Sequence, residues 1–275
     1  MVASGPVVPR CLSIAGSDSG GGAGVQADLK AFARCGCHGM TAIVALTAQS
    51  TSGVSGVHAV PPAFVEAQLE ALVTDIGLDA TKTGMLFSRP IVEVVATFLA
   101  AHAAPLVVDP VMVASSGASL LQDDAADALV TRLFPLATVV TPNLREACAL
   151  ADRPYRDDAE REGLAEAIHG LGAPAVIVTG GHGVPSIDWL FDGRRHVPIS
   201  VERVSSEATH GAGCTHSAAL AAFLARGFDL EDAARGAAMI ASRAVRNGLA
   251  DLGTGPGPVD VLGIETLGRE ALAAR

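Results

Sequence analysis

The chain predicts an α/β fold in which a mostly parallel central sheet carries helices on both faces. Three observations carry that expectation. Short β-branched runs alternate along the sequence with longer segments of helical spacing. The runs are apolar at consecutive positions, as strands buried on both faces are. Polar and glycine residues follow run after run, and a parallel sheet binds ligands beyond the carboxyl ends of its strands.

In order, Cys11–Ala15 reads as the first strand, followed by Gly16-Ser-Asp18-Ser-Gly20-Gly-Gly-Ala-Gly24. Ala42–Leu46 is the second and leads into Thr47-Ala-Gln49. Pro62–Thr74 is an amphipathic helix, with Val65, Leu69, Leu72 and Val73 on one face and Glu66 and Glu70 turned away. The Pro61–Pro62 pair suits its entry. Leu106–Val108 leads to Asp109-Pro110, and Thr138–Val140 leads to Thr141-Pro-Asn143 with Glu146 three residues further. Ala175–Val178 leads to Thr179-Gly180-Gly181-His182. Ile187–Asp192 and Arg194–Ile199, joined through Asp192–Gly193, read as a hairpin appended to the sheet. A last helix starts from Asp229 as N-cap with Asp232 in its first turn. It carries a stripe of Ala233, Ala237, Ile240, Ala241 and Ala244, and stops at Asn247–Gly248.

Bulk properties fit a soluble enzyme. Of 275 residues 49% are hydrophobic but only 4% aromatic, so a large core has to be built from aliphatic side chains. The net charge of −10 and the presence of only two lysines, Lys30 and Lys82, argue against nucleic acid. No uncharged apolar run of membrane-spanning length occurs, and the N-terminus lacks a signal-peptide pattern. Five cysteines fit a reducing cytoplasm better than a disulfide frame. One domain over residues 1–275 is the economical reading, with residues 1–10 as a flexible N-terminal segment.

The most informative stretch is Thr209–Ser217, reading THGAGCTHS. A Gly211-Ala212-Gly213 turn runs into an alanine-rich helix whose first side chain is the thiol of Cys214. Unpaired N–H groups at a helix start form an anion pocket, and the same positive end is expected to lower a thiol pKa. An anion site and a reactive side chain in one turn is the layout of a phosphoryl-transfer centre. The plainer reading of Cys214 is a small residue at a tight turn. Gly22-Ala-Gly24-Val-Gln-Ala27 fits a loose dinucleotide fingerprint, but the turn is displaced from the strand and no acid lies between Leu29 and Val65. A P-loop is excluded because neither lysine follows a glycine.

Six segments in order resemble one family: AGSDSGGGAGVQADLK (Ala15–Lys30), ALTAQ (Ala45–Gln49), DPVM (Asp109–Met112), TPNLREA (Thr141–Ala147), GGH (Gly180–His182) and HGAGCTHSAA (His210–Ala219). They look like the hydroxymethylpyrimidine/phosphomethylpyrimidine kinases of thiamine biosynthesis, within the ribokinase-like superfamily. The match runs from about residue 11 to Pro258. The resemblance implies a ribokinase-like three-layer sandwich and a cytoplasmic homodimer without nucleic-acid or membrane partners. It implies ATP- and Mg2+-dependent phosphorylation of 4-amino-5-hydroxymethyl-2-methylpyrimidine and then of its monophosphate; a monovalent-cation requirement stays open.

By the same resemblance, Gly211, Ala212, Gly213 and Cys214 hold the moving phosphoryl group, with Cys214 as base toward the alcohol. Gln49 reads the aminopyrimidine edge, which a carboxamide can match with one donor and one acceptor. Gly16, Asp28, Met85 and Val111 align with positions around that pocket. Asn143, Thr179 and Gly181 fall on the nucleotide side, and Asp109 and Glu146 on a hydrated magnesium shell. Plainer readings stand beside several of these. Asp28 and Glu146 are unremarkable early-helix carboxylates, Asp109 a turn residue before proline, and Met85 core packing. His182, His210 and His216 read as turn or capping partners. Many relatives carry a lysine where this chain has Thr179, so a positive charge at the ATP phosphates is missing. A vitamin B6 (pyridoxal) kinase is the alternative activity, and a non-catalytic pyrimidine- or nucleotide-binding protein a third reading.

Overall fold

Consecutive buried aliphatic residues force strands into a sheet covered on both sides. The computed structural model describes residues 8–112, 120–156, 160–180, 186–264 and 266–268. Its strands are β1 (Arg10–Ser17), β2 (His38–Ser50), β3 (Gly53–Ala59), β4 (Ala80–Thr83), β5 (Leu106–Val108), β6 (Val139–Val140), β7 (Val176–Val178), β8 (Ile187–Phe191) and β9 (His196–Ser200). They form a nine-stranded sheet in the order β3-β2-β1-β4-β5-β6-β7-β8-β9. Strands β2, β1, β4, β5, β6 and β7 run parallel, while β3, β8 and β9 add antiparallel edges.

The helices are α1 (Gly24–Arg34), α2 (Pro62–Asp75), α3 (Arg89–Ala101), α4 (Asp123–Ala128), α5 (Leu144–Leu150), α6 (Arg161–Gly170), α7 (Ala212–Ala225) and α8 (Leu230–Arg246). Two apolar clusters flank the sheet. One gathers Ile14, Val44, Leu69, Val95 and Ile168 under α2, α3 and α6; the other gathers Cys11, Phe32, Ile177, Leu220 and Ala237 under α1, α7 and α8. This is the three-layer sandwich. No helix among the described residues is long and apolar enough to cross a membrane.

Most expected elements are found with small boundary shifts. In α2, Val65 and Leu69 are buried and Glu66 and Glu70 exposed. Asp229 caps α8 by accepting from the Asp232 N–H at 2.8 Å. Three differences have physical causes. The second strand continues through Gln49, because residues 47–50 leave the parallel sheet and pair antiparallel with β3 as a ribbon. Strand β4 escapes an apolar-run reading because its sequence is Ala-Thr-Lys-Thr. The hairpin joins through residues 192–195 rather than two residues, since Phe191 pairs with His196 and Asp192 accepts from the N–H groups of Arg194 and Arg195. At the N-terminus, Arg10 already belongs to β1, and its guanidinium pairs with Asp79 at 2.7 Å.

Candidate functional site

The parallel strands end at one edge, and the start of α7 lies against it. Gly211 is the N-cap, in the left-handed region at φ 85°, with no side-chain cap. A side chain there would place its Cβ 1.8 Å from the carbonyl oxygen of Gly22, so only glycine allows the approach. Across that contact, the loop after β1 packs on the α7 corner although the two lie far apart in sequence. The Ala212 N–H is turned back to the Thr209 carbonyl at 3.2 Å. That removes Ala212 from the anion-binding set expected of residues 211–214. Gly213 is exposed and Cys214 partly so, in a turn without a side-chain cap, and the first N–H groups of a helix have no partner within it.

Beneath the corner lies a buried polar chain. Lys82, fully buried on β4, places its Nζ 3.0 Å from both oxygens of Asp28 and 3.9 Å from Asp109 Oδ2. Ser13 Oγ donates to Asp28, and Ser217 Oγ donates to Asp109 Oδ2 at 2.8 Å. Ser217 also lies within hydrogen-bond distance of the Gly213 and Cys214 carbonyls, at 3.0 and 3.2 Å. Burial disfavours the Lys82 charge, but Asp28, Cys214 and Asp109 hold its pKa above the ordinary value. Asp28 is therefore not a pocket-lining residue. Its carboxylate is consumed by Lys82 and Ser13, and it touches the site only through the lysine.

Cys214 departs from expectation in sign. Desolvation pushes its thiol up to about 12; Lys82 and the Gly24 N–H oppose the rise, whereas Asp28 and Asp109 add to it. The helix end does not win against burial and two carboxylates.

At the next strand end, Asn143 and Glu146 cap α5 reciprocally. The Glu146 N–H donates to Asn143 Oδ1 at 3.0 Å, and the Asn143 N–H donates to Glu146 Oε2 at 2.9 Å. Glu146 is nonetheless pushed up to about 8, first by burial and then by Asp109. Asp109 is raised as well, by burial, against the pull of Lys82 and Ser217. Two neighbouring buried carboxylates that resist ionisation form an oxygen-only set suited to a hydrated divalent cation. Among the described residues no group of three or more His, Cys, Asp or Glu side chains is arranged to cage a metal directly. Thr179 pairs with Asn143 across a parallel bridge, and its N–H donates to the Pro142 carbonyl at 2.9 Å. Gly181 and His182 lie outside the described residues.

On the acceptor side, the Gly16 N–H donates to the Met85 carbonyl at 3.2 Å, and a Cβ on Gly16 would sit 2.4 Å from Met85 Cε. Val111 turns tightly onto Asp109, its N–H meeting that carbonyl at 2.8 Å. Gln49 lines an open cavity of about 520 Å³ with Ser19, Ser52 and Val54. Its side-chain Oε1 accepts from Thr47 Oγ1 at 3.2 Å, and its backbone is stapled to Ser19.

Lys82, Asp18 and Ser217 were not singled out by sequence. The available signal for Lys82 was a lone lysine amid Ala, Thr and Gly at the spacing of a strand. His210 and His216 are not the turn or capping partners expected of them: His210 Nε2 meets Asp18 Oδ2 at 2.9 Å across the molecule, and His216, inside α7, places Nε2 3.2 Å from Asp188 Oδ2 on β8.

The phosphomethylpyrimidine kinase family matches residues 18–260. The chain is 45% identical over 258 residues to the hydroxymethylpyrimidine/phosphomethylpyrimidine kinase of Synechococcus elongatus, covering 92% of this chain and 97% of that one. It is 47% identical over 253 residues to the thiamine biosynthesis bifunctional protein ThiED of Geobacter sulfurreducens, covering 90% of this chain and 51% of that one. The chain thus spans about half the length of that bifunctional relative. Among solved structures, an ADP complex of Bacillus subtilis pyridoxal kinase superposes with a TM-score of 0.86 at 36% identity, covering 94% of this chain and 99% of that one.

Proposed function

The chain belongs to the phosphomethylpyrimidine kinase family, and from that premise we propose that the 211–214 corner is where it transfers phosphate. The enzyme is an ATP-dependent phosphotransferase acting on hydroxymethylpyrimidine and on its monophosphate in thiamine biosynthesis. Phosphoryl transfer asks a protein for positioning and charge neutralisation more than for covalent chemistry. The observation that supports the placement is the uncapped start of α7, locked by Gly211 against the glycine-rich loop and carrying Cys214 as its first reactive side chain.

In this reading the amides of Gly213 and Cys214 hold the moving phosphoryl group. Gln49, Gly16, Met85 and Val111 seat the pyrimidine. Asn143 and Thr179 face the nucleotide. Asp109 and Glu146 are the residues that would hold Mg2+ through water, and a divalent cation there supplies neutralisation of the phosphate charge. Cys214, as the thiolate, takes the proton of the alcohol in the first phosphorylation. The second needs no base, because a phosphate nucleophile is already ionised.

The test is a coupled ATP-consumption assay on hydroxymethylpyrimidine, its monophosphate and pyridoxal. Turnover of the first two, with pyridoxal slower, is expected. Pyridoxal is included because of the structural likeness to a pyridoxal kinase; preference for it would overturn the substrate assignment, and no turnover would overturn the activity.

A further inference from the structure

We propose that Asp18 and His210 form a positioning clasp that fixes the glycine-rich loop, and with it the acceptor pocket, against the phosphoryl-binding start of α7. The inference rests on the kinase reading above and adds two residues to it. Asp18 is 2% exposed and takes four donors: the N–H groups of Gly20, Gly22 and Ala23 at 2.8, 3.0 and 2.8 Å, and His210 Nε2 at 2.9 Å. Its carboxylate thus shapes the whole loop and anchors it to one outside residue. His210 is itself immobilised, its N–H on the Gly257 carbonyl at 3.1 Å and its carbonyl accepting from Val259 at 3.0 Å. The next residue is Gly211, which opens α7.

The loop's other end reaches the acceptor side. Ser19 Oγ donates to the Gln49 carbonyl at 2.7 Å and accepts from the Gln49 N–H at 2.8 Å. Ser19, Asp18 and His210 therefore link Gln49 to the α7 corner. A Cβ on Gly22 would lie 2.3 Å from His210 Cδ2 and 3.1 Å from Pro258. Burial works against the charge of Asp18, yet His210 and the Ala23 and Gly20 amides hold its carboxyl below the usual range. Neither clasp residue has to touch substrate. Each acts by setting the gap between the alcohol and the phosphoryl group, where an error near 1 Å costs about 100-fold in rate.

The test compares His210→Ala, His210→Gln and Asp18→Asn with the parent enzyme. His210→Ala and Asp18→Asn should each lower kcat about 10–100-fold on both the alcohol and the monophosphate. The separate affinities for pyrimidine and for ATP, read by calorimetry, should stay within about threefold. His210→Gln, whose amide still donates toward Asp18, should recover most of the loss. Unchanged kcat in His210→Ala, affinities that weaken in step with kcat, or a glutamine variant no better than alanine would each overturn the clasp. Should His210→Ala fail to fold, Asp18→Asn against His210→Gln decides: full kcat in Asp18→Asn overturns the proposal, and a loss there with near-parent kcat in His210→Gln supports it. A parent enzyme that turns over neither pyrimidine overturns the kinase reading and the clasp together, whereas parent turnover with an undiminished His210→Ala overturns the clasp alone.

Discussion

Replacing Lys82 by methionine removes the cation that pairs with Asp28 among the described residues while roughly preserving side-chain volume, so the loss is electrostatic rather than a cavity effect. At the observed 3.0 Å separation the gross attraction is roughly 5 kcal/mol at an effective dielectric near 20. Desolvation of the pair offsets much of that, so the net worth of the bridge is not the quantity to predict. What Lys82→Met leaves behind is a fully buried carboxylate without a counter-charge, which costs about 3–5 kcal/mol. Against a typical total near 5–15 kcal/mol that is a large share. With a guanidinium slope of roughly 4–6 kcal/mol/M, the unfolding midpoint should fall by about 0.5–1 M. Asp28→Asn added to Lys82→Met removes the stranded charge and should restore most of the deficit. The pH sign follows from the same picture. The stranded carboxyls titrate higher in the folded than in the unfolded chain, so the deficit is small near pH ~4 and grows as pH rises. A Lys82→Met deficit under about 1 kcal/mol, or a double variant no more stable than the single, would refute this account of the buried chain.

Three further outcomes are expected. Cys214→Ala should slow phosphorylation of the alcohol about 100-fold or more and that of the monophosphate far less; equal losses in single-turnover assays would mean a positional role only. Gln49→Ala should weaken pyrimidine binding about 10–100-fold by calorimetry and leave ATP binding intact; unchanged pyrimidine affinity would remove Gln49 from the pocket. Glu146 has a folded pKa of about 8 against its ordinary 4.5, so its contribution to ligand-free stability is lost as pH rises through that interval. Glu146→Gln keeps the cap and removes the charge, so its melting temperature should fall less than the parent's between pH 5 and 9; parallel curves would count against it.

The parallel core was legible because its strands are apolar at consecutive positions, and the position of α7 because glycines mark its start. Strand β4 was not, because a strand of Ala, Thr, Lys and Thr has no apolar periodicity; only tertiary burial makes it one. The pairing of Asp28 was not legible either. A carboxylate early in a helix is unremarkable in sequence, and nothing local points to the lysine on β4 that consumes it. Gln49 was placed beyond a strand end, yet it belongs to a ribbon that projects from the sheet, where polar alternation carries no core signal. Sequence order showed the glycine loop and the α7 turn as separate motifs; their contact depends on packing that no local pattern encodes.

The sign at Cys214 is set by burial first and by neighbouring charges next, both of which outweigh the helix dipole. A helix start carries roughly half a unit of positive charge, spread over its first turn, whereas Asp28 and Asp109 each bring a full negative one. Lys82 is shared between them, but not equally: it touches both oxygens of Asp28 at 3.0 Å and stands 3.9 Å from Asp109. Asp109 is left with one hydroxyl partner, and Ser217 has two backbone carbonyls competing for that single proton. Asp109 is therefore the under-compensated member; it adds to the effect of burial at Glu146, and to that of burial and Asp28 at Cys214. Neutralising Asp109 would leave Lys82 and the α7 amides acting on the thiol against burial and Asp28. The residue proposed to hold the cation and the residue proposed to take the proton are thus coupled through one buried lysine.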